Sequence, residues 1–80
     1  MSPQAYQFIV CTPEQWEQVK LLGLNLGEPR MHPDGSKMIT NKNGNLPLTG
    51  DEQDVLIGLG VEIVQSSEVQ GYLEAGGWNE

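Results

Sequence analysis

Residues 5–16 read AYQFIVCTPEQW, and this stretch decides how the fold begins. Its first seven residues are rich in aromatic and β-branched side chains, a composition typical of a β-strand. Thr12 and Gln15 then form a capping-box pattern, in which the threonine hydroxyl accepts the Gln15 backbone N–H at a helix start. Trp16 and the apolar residues at three-residue steps after it predict a buried helical stripe, which Gly23 ends. The sequence therefore opens with a strand followed directly by a helix.

The rest of the chain carries the same kinds of signal. Composition and turn residues predict five further elements: strands at residues 29–32, 37–40 and 61–64, and helices that open with capping boxes at Thr49 and Ser67. The resulting order is β-α-β-β-α-β-α, and its first six elements have the order of a ferredoxin-like split βαβ sandwich. We therefore expect one α+β domain over residues 1–80, with ferredoxin-like βαββαβ order and an extra C-terminal helix. Residues 76–80 are expected to form a flexible tail.

Charge is divided unequally between the two halves of the chain. Residues 43–80 hold seven of the eleven acidic residues and none of the four Lys and Arg residues, whereas residues 1–42 balance four acids against four bases. An uncompensated anionic surface repels nucleic acid and anionic membranes, and it attracts basic surfaces. The sequence therefore predicts a basic protein surface as the partner and disfavours direct binding of nucleic acid or membrane.

Two interpretations of these acids stay open at this point. Asp51, Glu52 and Asp54 lie in the first turn of a predicted helix and Glu68 at the start of the next, where carboxylates stabilise the helix dipole without any partner. The alternative is a binding surface, because ordinary protein surfaces intersperse both signs of charge. The residues predicted to form that surface are Asp51, Asp54, Glu62, Glu68, Glu74 and Trp78. For Trp78, packing back onto the domain is an equal alternative to anchoring a partner.

These observations favour a small acidic, non-enzymatic binding protein that occupies a basic surface of its partner, such as the surface of a nucleic-acid-binding protein. In size and charge the chain is similar to small acidic inhibitors encoded by phages, anti-CRISPR proteins among them, and no family motif accompanies that likeness. The alternative is a structural or assembly subunit that forms homo-oligomers, which a small core and an exposed sheet edge would encourage.

The sequence offers little support for catalysis, a cofactor or a metal. Cys11 and His32 are the single cysteine and histidine, too few for a zinc site. We interpret Cys11 as a buried strand-end residue, and a thiol enzyme using Cys11 and His32 is the least favoured hypothesis. Residues 41–52 resemble a calcium loop in spacing but lack its first Asp and its turn glycine. Neither a signal-peptide pattern nor a long apolar run is present, which predicts a cytoplasmic protein.

Overall fold

The computed structural model describes residues 5–78, which form a small α+β fold. Within those residues there are one four-stranded antiparallel sheet and three helices. In chain order the elements are β1 (Gln7–Cys11), α1 (Pro13–Lys20), β2 (Arg30–Met31), β3 (Met38–Asn41), α2 (Gly50–Gly58), β4 (Glu62–Gln65) and α3 (Val69–Ala75). The predicted α+β class is confirmed.

The sheet is built around β1. Its strand order is β2-β3-β1-β4, and each neighbouring pair is antiparallel. Val10 of β1 pairs with Ile39 on one side and with Glu62 on the other. The apolar stretch near the start of the chain therefore becomes the centre of the sheet, and β2 and β4 become its edges.

One face of the sheet is covered by α1 and α2. Ile9 and Cys11 of β1 point to this side, since alternate residues of a strand face opposite ways. Val19 of α1 and Leu56 of α2 pack there, and Ile9, Val19 and Leu56 are completely buried. Trp16 packs against the same cluster from α1. We call this side the α1/α2 face.

The opposite side has a smaller core. It consists of Val10, Ile39, Val64 and Trp78, against which α3 packs. Trp78 is only 3% exposed, although it follows α3 and two glycines near the end of the chain. We call this side the α3 face. Of the predicted tail, Trp78 packs onto the sheet, Gly76 and Gly77 are exposed, and residues 79–80 lie outside the described range.

Both helices of the α1/α2 face begin with the predicted capping boxes. The Thr12 hydroxyl accepts the Gln15 N–H at 3.1 Å, and the Gln15 side-chain oxygen accepts the Thr12 N–H at 2.9 Å. Thr49 and Glu52 repeat the pair with the same two distances. Each box satisfies backbone donors that the first helical turn leaves without partners.

The third predicted capping box is wrong. Glu68 occupies the N-cap position of α3, and its side chain makes no capping hydrogen bond. Ser67 cannot cap this helix because it lies in the turn after β4, where the Glu68 N–H donates to the Gln65 carbonyl at 2.9 Å. The helix therefore begins at Val69, without a side-chain cap.

The predicted strands are present with small displacements, and two of these have a clear cause. Lys37 closes the β2–β3 turn by accepting the His32 N–H at 2.8 Å, so β3 starts one residue later than predicted. Val61 donates to the Leu56 carbonyl at the end of α2, so β4 also starts one residue later. Among the described helices, none has the length and apolar character needed to cross a membrane.

Candidate functional site

The acidic residues predicted to bind a partner lie on the edge strand β4 and on the two helices that contact it. Asp51 and Asp54 are on α2, Glu62 is on β4, and Glu68 and Glu74 lie at the start and near the end of α3. α2 and α3 cover opposite faces of the sheet, and both contact the edge strand β4. All five side chains are exposed. We call these five residues the acidic edge.

The carboxylates of the acidic edge are not neutralised within the described residues. Over residues 5–78 none of the five forms an ion pair. Glu62 accepts a hydrogen bond from the Tyr72 hydroxyl at 3.3 Å, and Glu74 accepts one from the Gln70 side chain at 3.1 Å. These neutral donors leave the negative charge in place, so the edge presents uncompensated charge to solvent.

Three of the four cations of the chain are engaged elsewhere. Lys42 pairs with Glu52 at 3.2 Å and Lys20 with Glu17 at 2.9 Å, while Arg30 donates to the Trp78 carbonyl at 3.1 Å. Glu52 is therefore paired with a cation, whereas within residues 5–78 Asp51 and Asp54 on the same helix are not. Its backbone hydrogen bond from Thr49 and its pairing with Lys42 lower its carboxyl pKa.

A cleft of about 550 Å³ opens between the β2–β3 turn and α3, next to the acidic edge. Its lining includes Asp34, Ser36 and Lys37 from the turn, Glu62 from β4, and Tyr72 and Trp78. We call it the turn cleft. Sequence reasoning missed it, because its walls come from segments far apart in the chain and neither wall has a motif. In the sequence, the polar turn residues before β3 were the feature that could have pointed to this cleft.

His32 joins the two walls of the turn cleft. Its Nε2 donates to the Gly76 carbonyl at 2.8 Å, and its ring meets the Trp78 indole edge-on, with the ring centres 4.7 Å apart. Its Nδ1 lies 2.7 Å from the Asp34 carboxylate and 3.1 Å from the Asp34 backbone nitrogen. These contacts fix the turn against the end of α3, which is a structural role for the single histidine.

Trp78 lies directly beneath this histidine contact. Its burial favours the alternative in which it packs onto the domain, and direct contact with a partner stays a prediction. Gly76 allows this packing, because a β-carbon at that position would lie 2.9 Å from Cδ1 of Trp78. The tryptophan therefore supports the turn cleft from inside.

The arrangement does not bring the candidate catalytic pair together. Cys11 is 2% exposed within the core of the α1/α2 face, whereas His32 contacts Trp78 of the α3 face. Burial raises the pKa of the Cys11 thiol, which keeps it protonated and poorly nucleophilic.

The described residues also offer no cluster of three or more His, Cys, Asp or Glu side chains that could hold a metal ion. Within the calcium-loop spacing, the Asn41 amide donates to Asn45 at 2.8 Å, and the Asn43 amide donates to Asn25 at 3.3 Å.

Comparisons with known protein families, with curated proteins and with solved structures find no match to this chain. The functional argument therefore rests on the residues of the chain itself.

Proposed function

We propose that the protein acts in the cytoplasm as a small, non-enzymatic binding protein that occupies a basic surface of a partner protein. A surface that the partner uses for nucleic acid is the favoured target, because it is rich in Lys and Arg and accepts spaced negative charges. In this respect the protein would act as phage-encoded anti-CRISPR-type inhibitors do. The observation that carries the proposal is the acidic edge, whose five exposed carboxylates form no ion pair within residues 5–78.

The outer surface of α2 supports the proposal with apolar area. Val55 is 47% exposed and Ile57 61% exposed, and they lie on either side of Asp51 and Asp54 around the helix. Stable protein interfaces combine apolar contact area with a charged or polar rim. α2 offers both on one rigid, capped element. The acids then guide encounter with a basic partner, and the apolar side chains contribute once contact is made.

Affinity capture of the tagged protein from its host's lysate, followed by kinetics with the purified partner, tests the proposal. The informative variant is Asp54→Asn with Glu68→Gln, which removes one charge from each helix of the acidic edge. The matched control is Glu14→Gln with Glu28→Gln, which removes two exposed acids of the N-terminal half. We expect the first variant to slow association about three- to tenfold at ~0.1 M salt and the control to change it little. Equal effects of the two variants, or binding that ignores salt, would contradict the proposal.

Self-association is the second candidate function, and the position of β4 favours it. β4 forms one edge of the sheet in the described residues, and an edge strand can pair with a strand of another chain. Two copies that each carry a net charge of −7 repel one another, which opposes this pairing. Salt therefore separates the two functions. Screening between ~0.1 and ~0.5 M salt strengthens self-association and weakens binding to a basic partner, and sedimentation at both salts measures the first effect.

We also propose that the fold is a ferredoxin-like sandwich with α3 added on the opposite face. The strand order, the antiparallel pairing and the packing of α1 and α2 on the same face support this assignment. An experimental structure with α1 and α2 on opposite faces would contradict it. The assignment adds no functional argument, because this architecture serves many unrelated functions.

A further inference from the structure

The acidic edge continues into the turn cleft, because Glu62 belongs to both. This glutamate is exposed, and its Oε1 accepts the Tyr72 hydroxyl, which leaves Oε2 able to accept from a ligand. Burial, together with the neighbouring Glu62 charge, raises the pKa of Tyr72, so the phenol stays neutral and continues to donate. The hydrogen bond holds the carboxylate in one orientation, which reduces the entropy lost when a ligand binds.

A second carboxylate lines the turn cleft from the turn side. The Ser36 hydroxyl and backbone N–H donate to Asp34 at 2.6 and 2.8 Å, and these bonds lower the carboxyl pKa. Asp34 therefore stays ionised at neutral pH. His32 also lines the cleft, and its Nδ1 lies 2.7 Å from the Asp34 carboxylate, so Asp34 is already paired within the turn. Lys37 lines the cleft too and forms no ion pair within residues 5–78. Glu62 is therefore the acidic lining residue left to accept from a ligand, and the basic partner of the proposed function would supply a cationic one.

The shape and the aromatic lining select among cations. A volume of about 550 Å³ is ample for one long side chain, and the partly exposed Tyr72 adds aromatic surface to the lining. A guanidinium group is planar, carries five donors and binds carboxylates in a bidentate manner, and it also stacks on aromatic rings. An ammonium group is a compact, strongly hydrated charge that makes fewer of these contacts.

We propose that the turn cleft receives an arginine side chain of the basic partner, with Glu62 as its main acceptor and Tyr72 as its aromatic contact. This inference rests on the proposed function, and it names the part of the partner that is recognised. Interfaces commonly depend on a few side chains seated in pockets, and arginine is enriched among them. The turn cleft is then the anchor point, and the exposed acids of α2 and α3 guide the approach.

The direct test is a titration with N-acetyl-arginine methylamide, followed by the amide chemical shifts of the labelled protein. We expect a dissociation constant on the order of millimolar, with the shifts centred on residues 62, 72 and 76. The matched probe is the citrulline analogue, which has the same shape without the charge. It should cause no comparable shifts. Equal shifts with both probes, or shifts centred on α2, would overturn the inference.

Two variants of the cleft should change the affinity for the arginine probe in opposite directions. Glu62→Gln should weaken binding of the arginine probe about three- to tenfold, and Lys37→Gln should strengthen it about two- to threefold. Glu14→Gln is the control, because this exposed acid lies on α1 and does not line the cleft. Tyr72→Phe keeps the ring and removes the hydroxyl, so it tests the orientation of Glu62 without losing the aromatic surface. Weaker binding in Lys37→Gln would instead identify an anion site and overturn the inference.

The same variants separate this inference from the proposed function. With the purified partner, Glu62→Gln should raise the dissociation rate, whereas the Asp54 and Glu68 double variant should lower the association rate. If only the association rate responds, the arginine site is wrong and the acidic binding function stands. If neither rate responds, both proposals fail.

Discussion

The two faces of the sheet are held together in different ways. The α1/α2 face has two helices that begin with complete capping boxes, and each helix buries a residue completely, Val19 in α1 and Leu56 in α2. The α3 face has one helix of seven residues, with no side-chain cap and no buried residue of its own. Local sequence signals thus specify the first face, whereas the second depends on contacts made after the chain has folded.

Trp78 and His32 supply those contacts. Trp78 joins the core of the α3 face, and its carbonyl accepts from Arg30, 48 residues earlier. The bond from His32 to Gly76 spans 44 residues. Because these bonds connect β2 and the β2–β3 turn to the residues after α3, loss of one should loosen the α3 face before the α1/α2 face. Three pairs of variants test that difference.

Trp78→Ala should have the largest effect. Removing a buried tryptophan costs about 3–5 kcal/mol of the free energy of unfolding, and loss of Leu56 about 2–5 kcal/mol. The two variants should differ in which backbone amides lose their protection from hydrogen exchange. Hydrogen exchange should speed up mainly in α3 and the β2–β3 turn for Trp78→Ala, but across the whole sheet for Leu56→Ala. Uniform loss in both variants would mean that the two faces form one cooperative unit.

Gly76→Ala should destabilise the protein, and Gly71→Ala should stabilise it. A β-carbon at position 76 would lie 2.9 and 3.0 Å from two indole atoms of Trp78, so the ring must shift, at about 1–3 kcal/mol. At position 71 nothing lies within 4 Å, and alanine gains up to about 1 kcal/mol in helix propensity. Urea denaturation of the pair measures both changes. A stable Gly76→Ala protein would show that the indole packing is loose.

Thr49→Ala and Glu68→Ala compare the helix caps of the two faces, and we expect these variants to have the smallest effects on stability. Thr49 accepts a backbone N–H at the start of α2, and its loss should cost about 1 kcal/mol. Glu68 holds the equivalent position before α3 without a capping bond, so its replacement should stay within about 0.5 kcal/mol. Chemical denaturation of the two variants in one buffer gives the comparison. Equal losses would assign Glu68 a stabilising contact that the structure does not contain.

The same difference explains how much could be predicted from the sequence. The starts of α1 and α2 could be predicted from Thr12 and Thr49, because a capping box involves only four consecutive residues. The strands and the α+β class followed from equally local composition and turn signals. The third cap failed because the turn after β4 takes up Ser67, which depends on where the strand ends. The acids were visible as a group, but their arrangement around β4 was not, since it needs α2 and α3 on opposite faces.

The turn cleft was out of reach for a related reason. The sequence placed Glu62 in the predicted strand at residues 61–64 and Tyr72 in the predicted helix that follows it. Their hydrogen bond joins α3 to β4 beside the β2–β3 turn, and Trp78, for which the sequence left two alternatives open, is buried at the same place. Three-dimensional packing therefore decided both the role of the tryptophan and the existence of the cleft.

The distribution of the two tryptophans gives each face its own fluorescence signal. Trp16 packs against the core of the α1/α2 face and Trp78 lies within that of the α3 face. In a Trp16→Phe protein the emission comes from Trp78 alone, and in a Trp78→Phe protein from Trp16 alone. In each protein, a fluorescence curve that coincides with the circular-dichroism curve indicates two-state unfolding. Separation of the two curves reveals an intermediate in which the face reported by that tryptophan has opened. The same emission from Trp78, next to the turn cleft, would report arrival of a ligand there without any added label.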